Sequence, residues 1–155
     1  MTQVETDVLI IGAGPVGLFS VFELGQLGIK SCVVDCLDII GGQCSSLYPQ
    51  KPIYDIPAYP EISAEKLVEN LSTQIKPFDP KFILGEKVEK FESKNDKFLI
   101  QTSNNNLILS KCVIIAAGNG AFGPNKPPLK NIDQFEKKSI FYHINDKSIF
   151  KKKRV

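Results

Sequence analysis

The chain has 155 residues, 43% of them hydrophobic and 23% charged, with a formal net charge of +2. Those proportions suit one globular domain with a sizeable core and exclude two full ones, and so small a charge gives no ground for a nucleic-acid or membrane-surface partner. No apolar run approaches the roughly 20 residues of a membrane span, and the polar start carrying Glu5 and Asp7 lacks a signal-peptide pattern, so a cytoplasmic location with reduced thiols is expected.

The first element is the β-branched apolar run Val8-Leu9-Ile10-Ile11, which reads as a buried parallel strand. It leads into Gly12-Ala13-Gly14-Pro15-Val16-Gly17. Gly12 permits the tight turn out of the strand, Gly14 removes the side chain where a pyrophosphate approaches the backbone, and Gly17 lets helix and strand pack closely. Pro15 is tolerated because the first helical turn has no intrahelical partner for its missing N–H. The apolar residues Val16, Phe19, Val21, Phe22, Leu24 and Leu27 predict a mostly buried helix, ended by Gly28 in a left-handed conformation. A second strand over residues 31–34 delivers Asp35 to a point where a carboxylate accepts hydrogen bonds from ribose hydroxyls. Strand, glycine turn, helix, strand and acid together have the spacing of a dinucleotide-binding βαβ unit, with the pyrophosphate at the helix N-terminus. Its candidate contacts are Gly12, Gly14, Pro15, Gly17 and Asp35. The competing reading is a glycine turn in an ordinary α/β domain, with Asp35 a solvated strand end.

Residues 36–62 show no regular periodicity and carry Gly41-Gly42 and four prolines, the pattern of a long functional loop. Ser63 then caps a helix whose apolar face is Leu67, Leu71 and Ile75, stopped by Pro77 and Pro80. Residues 82–84 read as a third strand. Alternation over residues 87–91, 97–102 and 107–109, with turns at Asn95-Asp96 and Asn104-Asn105-Asn106, predicts a small antiparallel meander inserted into the parallel fold. Residues 111–116 return to an apolar central strand that exits through Ala117-Gly118-Asn119-Gly120, on the crevice side of the sheet. Residues 124–128 look like a linker, and the basic run Lys151-Lys152-Lys153-Arg154 reads as a solvated approach to a strand. The fold class that follows is α/β, a Rossmann-like three-layer domain with an inserted antiparallel meander. Cys32, Cys36, Cys44 and Cys112 form no Cys-x-x-Cys pair, and none combines with His143, the sole histidine, at zinc-ligand spacing, so no metal site is expected.

The loop Ile40-Gly41-Gly42-Gln43-Cys44, continuing through Leu47-Tyr48-Pro49-Gln50-Lys51-Pro52-Ile53-Tyr54-Asp55-Ile56-Pro57-Ala58-Tyr59-Pro60, closely resembles the ferredoxin–NADP reductases of the thioredoxin-reductase-like type. The resemblance extends through the first βαβ unit, the Ser63 helix with Lys76-Pro77-Phe78-Asp79, the exit from Ala117 to Gly123 and the Phe141-Tyr142 region. It implies an FAD flavoprotein that passes electrons between NADPH and ferredoxin, usually as a homodimer. It further implies that Asp35 binds the adenosine ribose, that Gln43 and Tyr48 contact the flavin portion of FAD, that the Val88 backbone meets the adenine ring, and that Phe122 lies beside the flavin. Each has a plainer alternative: a self-satisfied loop residue for Gln43, an aromatic plug for Tyr48, a strand-core residue for Val88 and a packing residue for Phe122.

Cys44 departs from the flavin disulfide reductases of the glutathione-reductase type, where the redox partner stands five residues on, because that position here is Pro49. Cys44 is therefore read as a spectator thiol with no activating base or resolving partner. Val21 stands where such flavoproteins commonly carry Gly or Ala, and Ala117 where threonine is often found. No side chain presents itself as a catalytic acid, base or nucleophile; the reactive atom belongs to the cofactor. One glycine fingerprint provides one nucleotide site, so the resemblance implies that the NADPH-binding domain and the returning C-terminal segment are missing and that the chain is a fragment, impaired or inactive alone. On this reading residues 1–123 form the amino-terminal part of the FAD-binding domain, and residues 124–155 a linker and approach to the NADPH domain. Two other readings stay open: the FAD-binding portion of a thioredoxin reductase, and a non-catalytic nucleotide-binding module.

Overall fold

The computed structural model describes residues 3–94, 96–121, 123, 126–136, 138–142 and 147–154. They belong to two units, residues 1–121 and 122–155.

The first unit is built on β1 (Gln3–Ile11), α1 (Pro15–Gln26) and β2 (Ser31–Asp35), the expected βαβ arrangement. α2 (Gln43–Ser46), β3 (Pro52–Ile53), β4 (Ile62–Ser63), α3 (Ala64–Ile75), β5 (Lys81–Leu84), β6 (Val88–Lys94), β7 (Lys97–Thr102) and β8 (Leu107–Ile115) follow. Six strands form one sheet in the order β5-β2-β1-β8-β7-β6, parallel across β5, β2, β1 and β8 and antiparallel across β8, β7 and β6.

Strand alternation sends neighbouring side chains to opposite faces, and both faces of the central strands are buried. Val8, Ile10 and Val33 join Leu18 and Val21 of α1 and Leu67, Val68, Leu71 and Ile75 of α3 in one core. Leu9, Cys32 and Val34 join Ile100 and Ile108 of the meander in a second. Double-sided burial explains why these strands read as unbroken apolar runs. α3 forms where the Leu67, Leu71, Ile75 spacing places it, and the Ser63 hydroxyl caps it by accepting from the Lys66 amide at 3.3 Å. Gly28 adopts φ +69° after α1, the left-handed stop.

Three features differ from expectation. α1 is only partly buried: Gly17, Leu18 and Val21 are covered, whereas Val16, Phe19 and Leu27 are exposed. The helix packs one side on the sheet and α3, and apolar density does not by itself report a covered second side. Residues 107–109 and 111–116, read as separate strands, are one nine-residue strand, β8. Its first half pairs with β7 while its whole length pairs with β1, so the meander extends the parallel sheet. Residues 36–62 are not wholly irregular, since they hold α2 and β3, the latter paired antiparallel with β4.

Among its described residues the second unit contains two short 3-10 turns, Ile132–Gln134 and Lys147–Phe150. The Lys126 ammonium pairs with Asp133 at 2.8 Å and Glu136 at 2.5 Å, and the Phe141 and Phe150 rings meet edge to face at 5.1 Å.

Candidate nucleotide-binding site

β1 leads one way in the sheet to β2 and β5, while β8 lies on its other side, so the strand order reverses between β1 and β8. Ligands of open α/β sheets sit outside the strand carboxyl ends at such a reversal. The glycine turn and the Ala117-Gly118 exit both leave the sheet there. Gly12 donates to the Val34 carbonyl at 2.8 Å and Ala116 to the Ile11 carbonyl at 2.8 Å, fixing both exits to the strands.

The three glycines of the turn have different reasons to be glycine. Gly12 has φ +110°, and a Cβ there would strike the Ala116 carbonyl. A Cβ on Gly17 would strike the Gly12 carbonyl oxygen. Gly14 has ordinary extended backbone, φ −71° and ψ 179°, and, its chain neighbours aside, no described residue lies within 4 Å of where its Cβ would stand. Its missing side chain therefore keeps space free at the start of α1, where Pro15 occupies the first turn and no side chain caps the helix. Amides at such an end favour an anion.

The second loop closes on the first. Gly41 donates to the Ala13 carbonyl at 2.8 Å. Gly42, at φ +57° and ψ −134°, lies so near that an added Cβ would stand 3.1 Å from the Gly14 Cα. The Gln43 side-chain amide nitrogen would be 3.6 Å from a Cβ on Gly118, so the half-buried Gln43 lies beside the strand exit. Tyr48 is half-buried against the α1/α3 core, with the Lys51 ammonium 5.2 Å from its ring centre. This part of the loop is strapped to α3: the Pro49 carbonyl accepts from Glu65 at 2.8 Å and the Lys51 carbonyl from Ala64 at 3.0 Å.

Asp35 has a task that sequence reasoning did not foresee. Its carboxylate, 9% exposed, accepts the Ala13 amide at 2.6 Å through Oδ2 and the Leu37 amide at 2.9 Å through Oδ1. It thus fastens the glycine turn to the end of β2, and a carboxylate with two donors retains lone pairs for a further one. The signal in the sequence was the acid at the end of the strand beside the turn, but the identity of the donors required the fold.

Gly12, Gly14, Pro15, Gly17, Asp35 and Gln43 are gathered at one end of the sheet. Tyr48 belongs to the α1/α3 core and Val88 to the meander core, so they stand on opposite faces of the sheet. Phe122 and His143 lie outside the described residues. Sequence reasoning also passed over Glu86, whose buried carboxylate accepts from the Thr102 hydroxyl and the Asn106 amide.

All four cysteines are free thiols. Burial pushes the Cys44 thiol upward and the Cys32 thiol up to about 11, the opposite of what a thiolate nucleophile requires. Among the described residues, no group of three or more His, Cys, Asp and Glu side chains could hold a metal ion, and no helix is long and apolar enough to cross a membrane.

A mixed sheet with a glycine turn at its strand reversal, beside a helix start without a side-chain cap, places the unit in the Rossmann-like FAD/NAD(P)-binding fold class. Among solved structures the chain is similar to thioredoxin reductase from Streptococcus pyogenes MGAS5005, with a TM-score of 0.64 and 22% identity over 85% of this chain and 40% of that one. The sequence matches the Pyridine nucleotide-disulphide oxidoreductase family over residues 6–155, and the chain belongs to that family. It is 59% identical to the ferredoxin--NADP reductase of Rickettsia conorii over 97% of this chain and 44% of the relative. It is 52% identical to that of Ehrlichia canis over 100% of this chain and 46% of the relative. The chain thus spans just under half the length of these relatives.

Proposed function

We propose that residues 1–123 are the FAD-binding portion of a flavoprotein that transfers electrons between NADPH and ferredoxin, working in the cytoplasm as a homodimer. The observation that carries the FAD site is the space at Gly14, bordered by Gly42 and by the start of a helix without a side-chain cap. A dinucleotide pyrophosphate needs that combination of backbone access and positive helix end. The names and identities of the relatives support ferredoxin and NADP as partners.

In this reading Gly12, Gly14, Pro15 and Gly17 present backbone to the pyrophosphate, and Asp35 accepts from the adenosine ribose while holding Ala13. Gln43 and Tyr48 flank the flavin portion, Val88 offers its backbone to the adenine, and Phe122 lies beside the flavin. FAD held by these residues would supply the redox chemistry that links a two-electron nicotinamide donor to a one-electron acceptor. The protein groups bind, orient and shield; none serves as acid, base or nucleophile. Residues 124–155 would lead toward the NADPH-binding domain of the whole protein.

Cys44 is a free thiol with Pro49 five residues on, so it does not form the redox disulfide of the glutathione-reductase type. Titration of the purified chain with FAD, followed by flavin absorbance and fluorescence, tests the reading. Stoichiometric uptake supports it. A folded chain that takes up no flavin would leave a nucleotide-binding module without turnover.

A further inference from the structure

We propose that Glu86 is a positioning residue for the nucleotide end of the fold: it locks the β7–β8 hairpin to the β5–β6 corner and, through that corner, holds Asp35 and the glycine turn in place. The inference rests on the reading of Asp35 as a nucleotide contact.

Glu86 is 8% exposed, and the described groups that donate to its carboxylate, Thr102 and Asn106, are neutral. The fully buried Thr102 hydroxyl donates to Oε2 at 2.5 Å, and the Asn106 side-chain amide reaches Oε1 at 2.9 Å and Oε2 at 3.0 Å. The nearby Asn104 side chain also favours the charged form. Burial raises the cost of charge on Glu86, but these donors outweigh it and hold the carboxyl below the usual 4.5. A buried carboxylate without a cation is retained only where several donors need an acceptor.

What distinguishes this cluster from a packing detail is where its main chain leads. The Glu86 amide donates to the Asp35 carbonyl at 3.0 Å, and the Gly85 amide donates to the Leu37 carbonyl at 2.8 Å. Leu37 in turn donates to Asp35 Oδ1 at 2.9 Å, and Asp35 Oδ2 takes the Ala13 amide at 2.6 Å. The hairpin side is equally tied, with Ser103 donating to the Lys87 carbonyl at 2.9 Å and the Lys87 amide to the Ser103 hydroxyl at 3.3 Å. An unbroken ladder therefore runs from the meander hairpin through Glu86 and Asp35 to the turn that holds Gly14. The same corner starts β6, which begins at Val88. Glutamine at position 86 has one acceptor oxygen and turns an NH2 toward donors, so it breaks the side-chain cluster while preserving shape.

The test is native-state hydrogen exchange, with FAD titration, on the parent chain and on Glu86→Gln and Thr102→Val. In both variants exchange at the Ala13 and Leu37 amides should rise by about tenfold, while the Ile10 and Val33 amides of the strand core keep the parent rate. FAD affinity should fall by about the same factor. Parent-like exchange at Ala13 and Leu37 in both variants would overturn the proposal. An equal rise across β1 and β2 would do so as well, because it would mean general loss of stability. A parent chain that takes up no FAD would count against the cofactor reading alone, with the exchange rates still deciding the role of Glu86.

Discussion

The two long helices of the first unit start in opposite ways. α3 begins under a closed cap: the Ser63 hydroxyl takes one first-turn amide, and the carbonyls of Pro49 and Lys51 take two more. α1, of the same 12-residue length, begins at Gly14 with no side-chain cap and open space beside it. Unpaired first-turn amides cost stability unless a ligand or water satisfies them. The difference sets a helix start satisfied by the protein itself against one left open, which the proposed function assigns to a ligand, although both follow strands in the same unit.

The largest effect in that comparison should come from closing α1 from within. Gly17→Leu drives a side chain into the Gly12 carbonyl, and urea unfolding should show a loss of about 3 kcal/mol or a chain that does not fold; parent-like stability would mean that the close helix–strand approach is not required. Asp35→Ala removes the acceptor of Ala13 and Leu37. A dissociation constant for FAD raised by the equivalent of about 1.5–3 kcal/mol is expected, and an unchanged one would remove Asp35 from the site.

A smaller effect is expected in acid. The Glu86 carboxyl lies below its unfolded value of 4.5, so its contribution to stability is complete above that value and is lost as the pH falls through the lower folded one. Glu86→Gln should flatten this part of the stability curve, measured by urea unfolding between about pH 6 and about pH 3. A curve with the parent slope would deny Glu86 that role. Smallest is the closed cap itself: Ser63→Ala should cost about 1 kcal/mol in unfolding free energy and leave FAD affinity alone. A drop in affinity there would show that the two helix starts are not independent.

Much of this contrast is written in local sequence. Gly12 to Gly17 after an apolar run, and Ser63 before Leu67, Leu71 and Ile75, announce both helix starts because turn geometry, capping and periodicity act over a few residues. The polar ladder is not local. Asp35 reaches Ala13 and Glu86 reaches Thr102 and Asn106 only after distant strands are aligned. β8 escaped a single reading because Ser110 interrupts its apolar run. In the fold Ser110 is fully buried, its hydroxyl satisfied by the Cys112 carbonyl at 2.6 Å and the Asp7 carbonyl at 3.2 Å. In α1, Val16 and Phe19 are as apolar as Leu18 and Val21 but face away from the core. Residue type alone carries no information on which side of a helix is covered.

The most direct test of the open helix start is Gly14→Leu, because, its chain neighbours aside, no described residue stands within 4 Å of the added Cβ and the backbone there suits any residue. FAD titration and thermal melting of parent and variant, side by side, should give a parent that takes up flavin and a variant that melts at the same temperature but takes up none. Equal flavin uptake by the two chains, or a parent that stays colourless, would contradict the assignment of this space to the cofactor.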